Sequence, residues 1–280
     1  MRILRENDEY LEKKVRFNRC MSYIVLVASI GGYLGSYFIM KSAPPRIFVL
    51  PNDSIPIYVL ILCILGCVVA VKYSNKSGFF KRGLEAERLV TKHLQNLDDN
   101  YVLINDYKLP NRYGNIDHVL LGPNGIFAIE TKDFEGIMRC SGDNWYQYKH
   151  QWVISQEYER KSFSKQAKRN ALSLKRIIEI KSNLNLWVDP ILVFTNSNLK
   201  LVLNNPTVPV LKIYDLCEHI RNKKADTTLS HEKLETIGRS LIESLDRKGV
   251  HIALCLSCGH ENPRKSSFCG NCGHKIYPSI

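Results

Sequence analysis

The residues N-I-D-H-V-L-L-G-P-N-G-I-F-A-I-E-T-K, Asn115 to Lys132, decide how this chain is to be read. Two apolar runs, Val119–Leu121 and Ile126–Ile129, flank Gly122-Pro123-Asn124-Gly125. Short β-prone runs around a Gly/Pro/Asn turn predict a β-hairpin. With Pro123 and Asn124 as the loop, Gly122 faces Gly125, and counting back sets Asp117 opposite Glu130. A bulge at Gly125 would shift that register by one residue and still leave the two carboxylates neighbours. Glu130 and Lys132 are two apart on one strand and therefore share a face.

Two carboxylates and one ammonium at the open end of a hairpin suit phosphodiester hydrolysis. Paired carboxylates hold a hard cation such as Mg²⁺ (or Mn²⁺), which polarises a phosphate and lowers the pKa of a bound water. A lysine beside them positions that water or stabilises charge on the phosphoryl oxygens. The competing reading is a surface hairpin whose strand ends happen to be charged, and hairpin geometry alone favours it.

The flanking residues bear on that choice. Glu87 in A-E-R-L-V, the N-D-Y-K-L-P of Asn105–Pro110, Ile116-Asp117-His118, Gly125-Ile126-Phe127, Ile129-Glu130-Thr131-Lys132, Gly136 and Gln166 together resemble the nuclease-related domain (NERD) family of the PD-(D/E)xK nuclease superfamily. The resemblance runs from about Gly78 to Lys224, with Asp133 where an Asn is usual and Asn170 where a His is common. It implies an α/β fold with a restriction-endonuclease-like central mixed sheet flanked by helices. It also implies a metal-dependent endodeoxyribonuclease with Glu87, Asp117, Glu130, Lys132 and Gln166 as its catalytic set, Asp117 and Glu130 being the Mg²⁺ ligands. Glu85 is the neighbouring candidate for the helix carboxylate; the register of the resemblance favours Glu87. The alternative is a catalytically silent DNA-binding or scaffold module on the same fold.

Composition leaves room for these readings. Lys and Arg number 39 against 27 Asp and Glu, a net charge of +12 that suits anionic partners, nucleic acid or acidic lipid headgroups. The excess does not decide between them, because membrane proteins carry cytoplasmic Lys/Arg for topological reasons. The nine cysteines are clustered rather than spread in pairs, which argues against a disulfide framework and for reducing surroundings.

Residues 1–20 are polar and basic, and Met21–Met40 then runs without a charge for long enough to cross a hydrocarbon core. A second uncharged run, Ile55–Val71, lies at the short end of the spanning range. Lys and Arg flank the pair outside and are sparse in the loop Lys41–Ser54, so the positive-inside rule predicts a two-helix membrane hairpin over 21–73 with both termini cytoplasmic. A cleaved signal peptide is the rival, disfavoured by the long charged leader and the lack of a clean cleavage site. Gly31, Gly32 and Gly35 would let the first helix approach the second closely.

Beyond Gly78 the pattern is that of a water-exposed domain over 78–224. Leu84–Leu97 has helical apolar spacing and carries Glu87, and Tyr101–Tyr107 reads as a strand ahead of the hairpin. Gly136–Cys140 and Trp145–Ile154 read as two further strands. Alternation puts Tyr146, Tyr148, His150, Trp152 and Ile154 on one face of the second, as a base-stacking stripe or, preferred, the inner face of a sheet. Ser164–Lys181 reads as a helix with one apolar face and one cationic face. Lys165, Lys168, Arg169, Lys175 and Arg176 on it are candidates for phosphate contact, a solvated basic face being the alternative. Trp187–Thr195 and Val208–Ile213 read as closing strands, followed by helices at Asp215–Asn222 and, within a 225–250 linker, Ser230–Leu245.

The tail over 251–280 contains Cys255-x₂-Cys258 and Cys269-x₂-Cys272, each pair followed by Gly. Two such turns present four thiolates tetrahedrally to a structural Zn²⁺. The tail resembles the short bacterial zinc ribbons, and with so few apolar residues it needs the metal to fold. Four thiolates on Zn²⁺ together with Glu261 offset Arg264, Lys265 and Lys275, so the ribbon is no obvious DNA clamp and a protein partner for it is equally open.

Overall fold

Continuous apolar runs, buried on both sides, build the sheet that carries the quoted stretch, and helices cover it on both faces. The computed structural model describes residues 1–5, 9–42, 55–109, 114–150, 155–225, 228–246, 252–255, 257–263 and 266–276. In chain order the elements are β1 (Arg2–Arg5), α1 (Glu9–Ser42), α2 (Ile55–Leu94), β2 (Val102–Lys108), β3 (Asn115–Gly122), β4 (Gly125–Lys132), β5 (Ile137–Ser141), β6 (Asn144–His150), β7 (Ser155–Arg160), α3 (Phe163–Ser182), β8 (Val188–Phe194), β9 (Lys200–Asn204), β10 (Val210–Lys212), α4 (Leu216–Asn222), α5 (His231–Asp246), β11 (Ile252–Leu254) and β12 (Glu261–Pro263). The chain divides into two units, Asp8–Glu85 and Met1–Asn7 with Ala86–Ile280.

In the first unit α1 and most of α2 are long and apolar enough to cross a membrane. Their large apolar side chains are mostly exposed, among them Tyr23, Val27, Leu62 and Val68. Gly31, Gly32 and Gly35 face open space; the close approach is made by Gly66, where a Cβ would collide with the Ser29 hydroxyl. Ser22 Oγ also donates to the Ala70 carbonyl at 2.9 Å and Ser77 Oγ to that of Val15 at 3.2 Å. The second apolar run and the helix carrying Glu87, read separately in the sequence, form the single helix α2. No proline interrupts the stretch between them, and an isolated helical glycine such as Gly78 or Gly83 costs only about 1 kcal/mol. The connecting loop 43–54 lies outside the described residues.

The second unit is built on a six-stranded mixed sheet in the order β1-β2-β3-β4-β8-β10. Gly122 pairs with Gly125 and His118 with Ile129, so the hairpin has the two-residue loop and unbulged register that the spacing predicts. Asn124 pins the turn: its Oδ1 accepts from the Tyr101 hydroxyl at 3.1 Å, and its Nδ2 donates to the carbonyls of Lys223, at 3.3 Å, and Ile220. Gly122 is required there because a Cβ would collide with the Tyr101 ring. Val119, Leu121, Ile126 and Ala128 pack against α3 and α5 through Leu174, Ile177, Leu234 and Leu241. On the opposite face Leu120, Phe127 and Ile129 pack against Val90 and Leu94 of α2 and Leu216 and Ile220 of α4. The edge strand β1 runs parallel to β2, although its partner lies a hundred residues away in sequence.

A second, four-stranded sheet has the order β7-β6-β5-β9. Neither β7 nor β9 is apparent from apolar periodicity. The inner face of β6 is formed by Trp145 and Gln147, both fully buried, while Tyr146 and Tyr148 face outward, contrary to the expected inner stripe. Trp145 decides the face: its ring packs against Phe163 and Phe194, and its Nε1–H donates to Ser164 Oγ at 2.9 Å. Residues 151–154, expected to continue this strand, lie outside the described residues.

Candidate active site

The register of β3 and β4 brings Asp117 and Glu130 together on the face covered by α3. Asp117 is half-buried and its Oδ2 accepts the Thr131 backbone N–H at 2.7 Å. Glu130 is only 3% exposed. Its Oε1 accepts from Lys132 Nζ at 2.6 Å and from Gln166 Nε2, and its Oε2 accepts from Asn170 Nδ2 at 3.0 Å. Gln166 and Asn170 are four apart on α3 and so lie one above the other. The helix starts where it does because Ser162 caps it, its Oγ accepting the Lys165 N–H at 3.2 Å. Asn170 is absent from the catalytic set expected from sequence; its place where a His is common and its i, i+4 spacing from Gln166 were the available signals.

The electrostatics follow from this crowding. Burial, and then the Glu130 charge, raise the Asp117 carboxyl to about 8, which Lys132 and the Thr131 N–H offset only in part. Burial alone would lower the Lys132 ammonium, but Glu130 and Asp117 outweigh it and raise its pKa, with a further contribution from Glu87. Lys132 is therefore a fixed cation near neutral pH. On α2 Glu87 is half-buried, whereas Glu85 is exposed and pairs with Lys81 at 3.5 Å. Behind the site, burial lowers His118 to about 3 and keeps it neutral. Its Nδ1 lies 2.8 Å from Asn105 Oδ1, which also accepts from Thr91 Oγ1 at 3.4 Å, tying α2 to the sheet one turn beyond Glu87.

The α3 cations separate into two groups. Lys165 and Arg169 are exposed. Lys168 pairs with Asp143 at 2.9 Å, Lys175 lies over the Trp187 ring at 5.2 Å, and Arg176 pairs with Glu179 at 2.8 Å and donates to the Ser257 carbonyl.

That last contact comes from the four-cysteine tail. The sulfurs of Cys255, Cys258, Cys269 and Cys272 all lie within 4.8 Å of one another. Cys255–Cys272 and Cys258–Cys269 are 3.6 and 3.5 Å apart, close to the ~3.8 Å edge of a tetrahedron with Zn–S bonds of about 2.3 Å. Despite the His274 N–H, the neighbouring thiols push Cys272 up to about 12. At Cys269 burial opposes ionisation, yet the backbone N–H groups of Cys272 and Asn271 help to bring it down to about 6. A cluster pulled both ways fits a cation that holds all four as thiolates.

Residues 82–195 match the family model of the nuclease-related domain. The chain carries a nuclease-related domain. Within the matched span lie Glu87, Asp117, Glu130, Lys132, Gln166 and Asn170. Neither a curated protein nor a solved structure matches the chain. The nuclease-related domain thus comes with two apolar helices before it and a four-cysteine cluster suited to zinc behind it.

Proposed function

We propose that this chain is a membrane-anchored nuclease that hydrolyses phosphodiester bonds of nucleic acid, DNA before RNA, with Mg²⁺ or Mn²⁺ as cofactor and its domain on the cytoplasmic side. The observation that carries this reading is the pair Asp117 and Glu130, two crowded carboxylates in which burial, and then the charge of Glu130, raise Asp117 to about 8. Paired hard oxygen donors fit a divalent cation. Asp117 and Glu130 hold it, together with the Thr131 carbonyl. When bound, the cation supplies Lewis-acid polarisation of the phosphate and acidifies water.

The remaining work falls to the chain's own side chains. Lys132, kept protonated by its carboxylate neighbours, orients the attacking water and stabilises charge building on the phosphoryl oxygens. Gln166 and Asn170 hold the Glu130 carboxylate in place from α3. Glu87 adds negative charge beside Lys132 and makes a further water or metal contact. Lys165 and Arg169, exposed on the same helix, contact substrate phosphates. Cys255, Cys258, Cys269 and Cys272 hold a structural Zn²⁺, because four thiolates leave no open position.

Two features support the anchor and its sidedness. β1 precedes α1 and β2 follows α2, yet both belong to one sheet, so the apolar pair returns to the side from which it started. The Lys and Arg residues flank the pair on its outer ends, which favours the cytoplasm for the domain. The test is cleavage of DNA and RNA by the full-length protein in detergent with added Mg²⁺. Asp117→Asn or Glu130→Gln is expected to abolish cleavage and leave DNA binding intact or tighter. Carboxylate variants that cleave like the parent would overturn the assignment of Asp117 and Glu130, and a parent that binds DNA without cleaving it would leave the silent DNA-binding or scaffold module in its place.

A further inference from the structure

An antiparallel face turned away from the core normally presents polar side chains. The four-stranded sheet, antiparallel except for the parallel β5–β9 pair, adds two tyrosines to such a face. Met138, Cys140, Trp145 and Gln147 fill its inner face, each fully buried. Beside the polar row of Asn144, Ser141 and Asn204, the register sets two further rows on the outer face, Tyr146 beside Arg139 beside Val202, and Tyr148 beside Ile137 beside Lys200. Tyr146, Tyr148 and Ile137 are half-buried, while Arg139, Val202 and Lys200 are exposed. The Arg139 guanidinium lies over both tyrosine rings, 5.2 and 5.7 Å from their centroids. Each row therefore joins an aromatic ring to a cation, and the rings stand about 7 Å apart along one strand. Acidic residues enter these rows only on β7, where Glu159 pairs with Tyr146 and Glu157 with Tyr148.

Resting on the nuclease reading above, we propose that this face binds an unpaired stretch of the nucleic acid substrate. Tyr146 and Tyr148 stack on bases, and Arg139 and Lys200 contact phosphates. Paired bases within a duplex offer no open face to such rings, whereas each base of a single strand does. The cations beside the rings match the charge of a phosphate backbone better than that of an apolar protein surface. The location also suits the role. Ile137 follows Lys132 by five residues, so the Tyr148 row begins at most about 18 Å of extended chain from the catalytic lysine. A strand spanning that gap needs about five nucleotides at stacked spacing.

The test is fluorescence anisotropy of the full-length, zinc-loaded protein in detergent, without Mg²⁺, on labelled oligothymidylate and on the corresponding duplex. Tyr146→Leu and Tyr148→Leu keep the apolar bulk of the face and remove the rings. Each is expected to weaken oligothymidylate binding about tenfold and to leave duplex binding unchanged. Tyr146→Phe, which keeps the ring, should bind like the parent, and Arg139→Gln should lower the salt slope by about one. Leucine variants that bind oligothymidylate like a parent that binds and cleaves would overturn this proposal and leave the nuclease reading standing. A parent that neither binds nor cleaves nucleic acid would overturn both. Leucine variants that lose self-association in sedimentation while keeping oligothymidylate affinity would make the face a contact between copies of the chain, and the proposal would fall.

Discussion

The β3–β4 hairpin and the four-cysteine tail are both read as metal sites, but they stand in opposite relations to their surroundings. Around the hairpin, Val119, Leu120, Leu121, Phe127 and Ile129 are fully buried, and helices cover both faces of the sheet. The fold therefore exists first and crowds two carboxylates together inside it. In the tail the buried cluster consists of Cys255, Cys269 and Ile276, two of them expected zinc ligands. There the site is expected to come first and to make the fold. A metal that a fold accommodates can be removed with loss of chemistry alone, whereas a metal that makes a fold cannot.

The largest expected effect follows from that contrast. Stripping zinc with a chelator should abolish amide-exchange protection over 252–276 while the β3 and β4 amides stay protected. Tail amides that remain protected without metal would break the comparison. Next in size, Lys132→Ala should lower cleavage by roughly a hundredfold or more while metal affinity is kept, since it removes a charge used in the transition state rather than a ligand. Metal affinity falling as far as the rate would make Lys132 a structural partner of Glu130 instead.

Asn170→Ala removes a donor from Glu130 Oε2 without touching a proposed ligand. Such supporting contacts are worth about 10–100-fold in metal affinity, and calorimetric Mg²⁺ titration should show a loss in that range. An unchanged affinity would mean that Glu130 is held well enough by Lys132 and Gln166. A last effect is graded by pH and is modest per unit. Asp117 has its folded pKa raised to about 8, so the folded state keeps a proton that the unfolded chain has already lost. Stability of the metal-free domain should therefore fall as pH rises from the ordinary carboxylate range toward 8. Mg²⁺ must displace that proton, so its affinity should climb by up to about tenfold per pH unit below 8 and level off above. Asp117→Asn should remove the Asp117 contribution to the stability slope, as followed by thermal melts across pH.

Much of this contrast is legible in the sequence. The loop Pro123-Asn124 sets the hairpin register by counting, and the C-x-x-C spacing announces the tetrahedral cluster, because both are local. What escapes is long-range. β1 has four residues and gains its place by pairing with a strand beyond the two apolar helices and by packing Ile3 and Leu4 against the core on either face. β7, Ser-Gln-Glu-Tyr-Glu-Arg, has no apolar alternation and is held by pairing with β6. Both sides of β6 carry aromatic residues, so period two identifies a strand without saying which face is buried; the Phe163 and Phe194 rings decide that. Asn170 is visible as a residue on a helix, yet its partner Glu130 lies forty positions away on a strand.

The proposed chemistry needs Asp117 and Glu130 to act together as the ligands of a catalytic divalent cation. The most direct measurement is Mn²⁺ binding by electron paramagnetic resonance on the full-length, zinc-loaded protein, run beside DNA cleavage on the same samples. The parent should bind Mn²⁺ at the hairpin and cleave in proportion to occupancy, and the double variant Asp117→Asn, Glu130→Gln should lose both while its fold persists. Cleavage by the parent without any divalent cation, or Mn²⁺ binding and cleavage undiminished in the double variant, would contradict it.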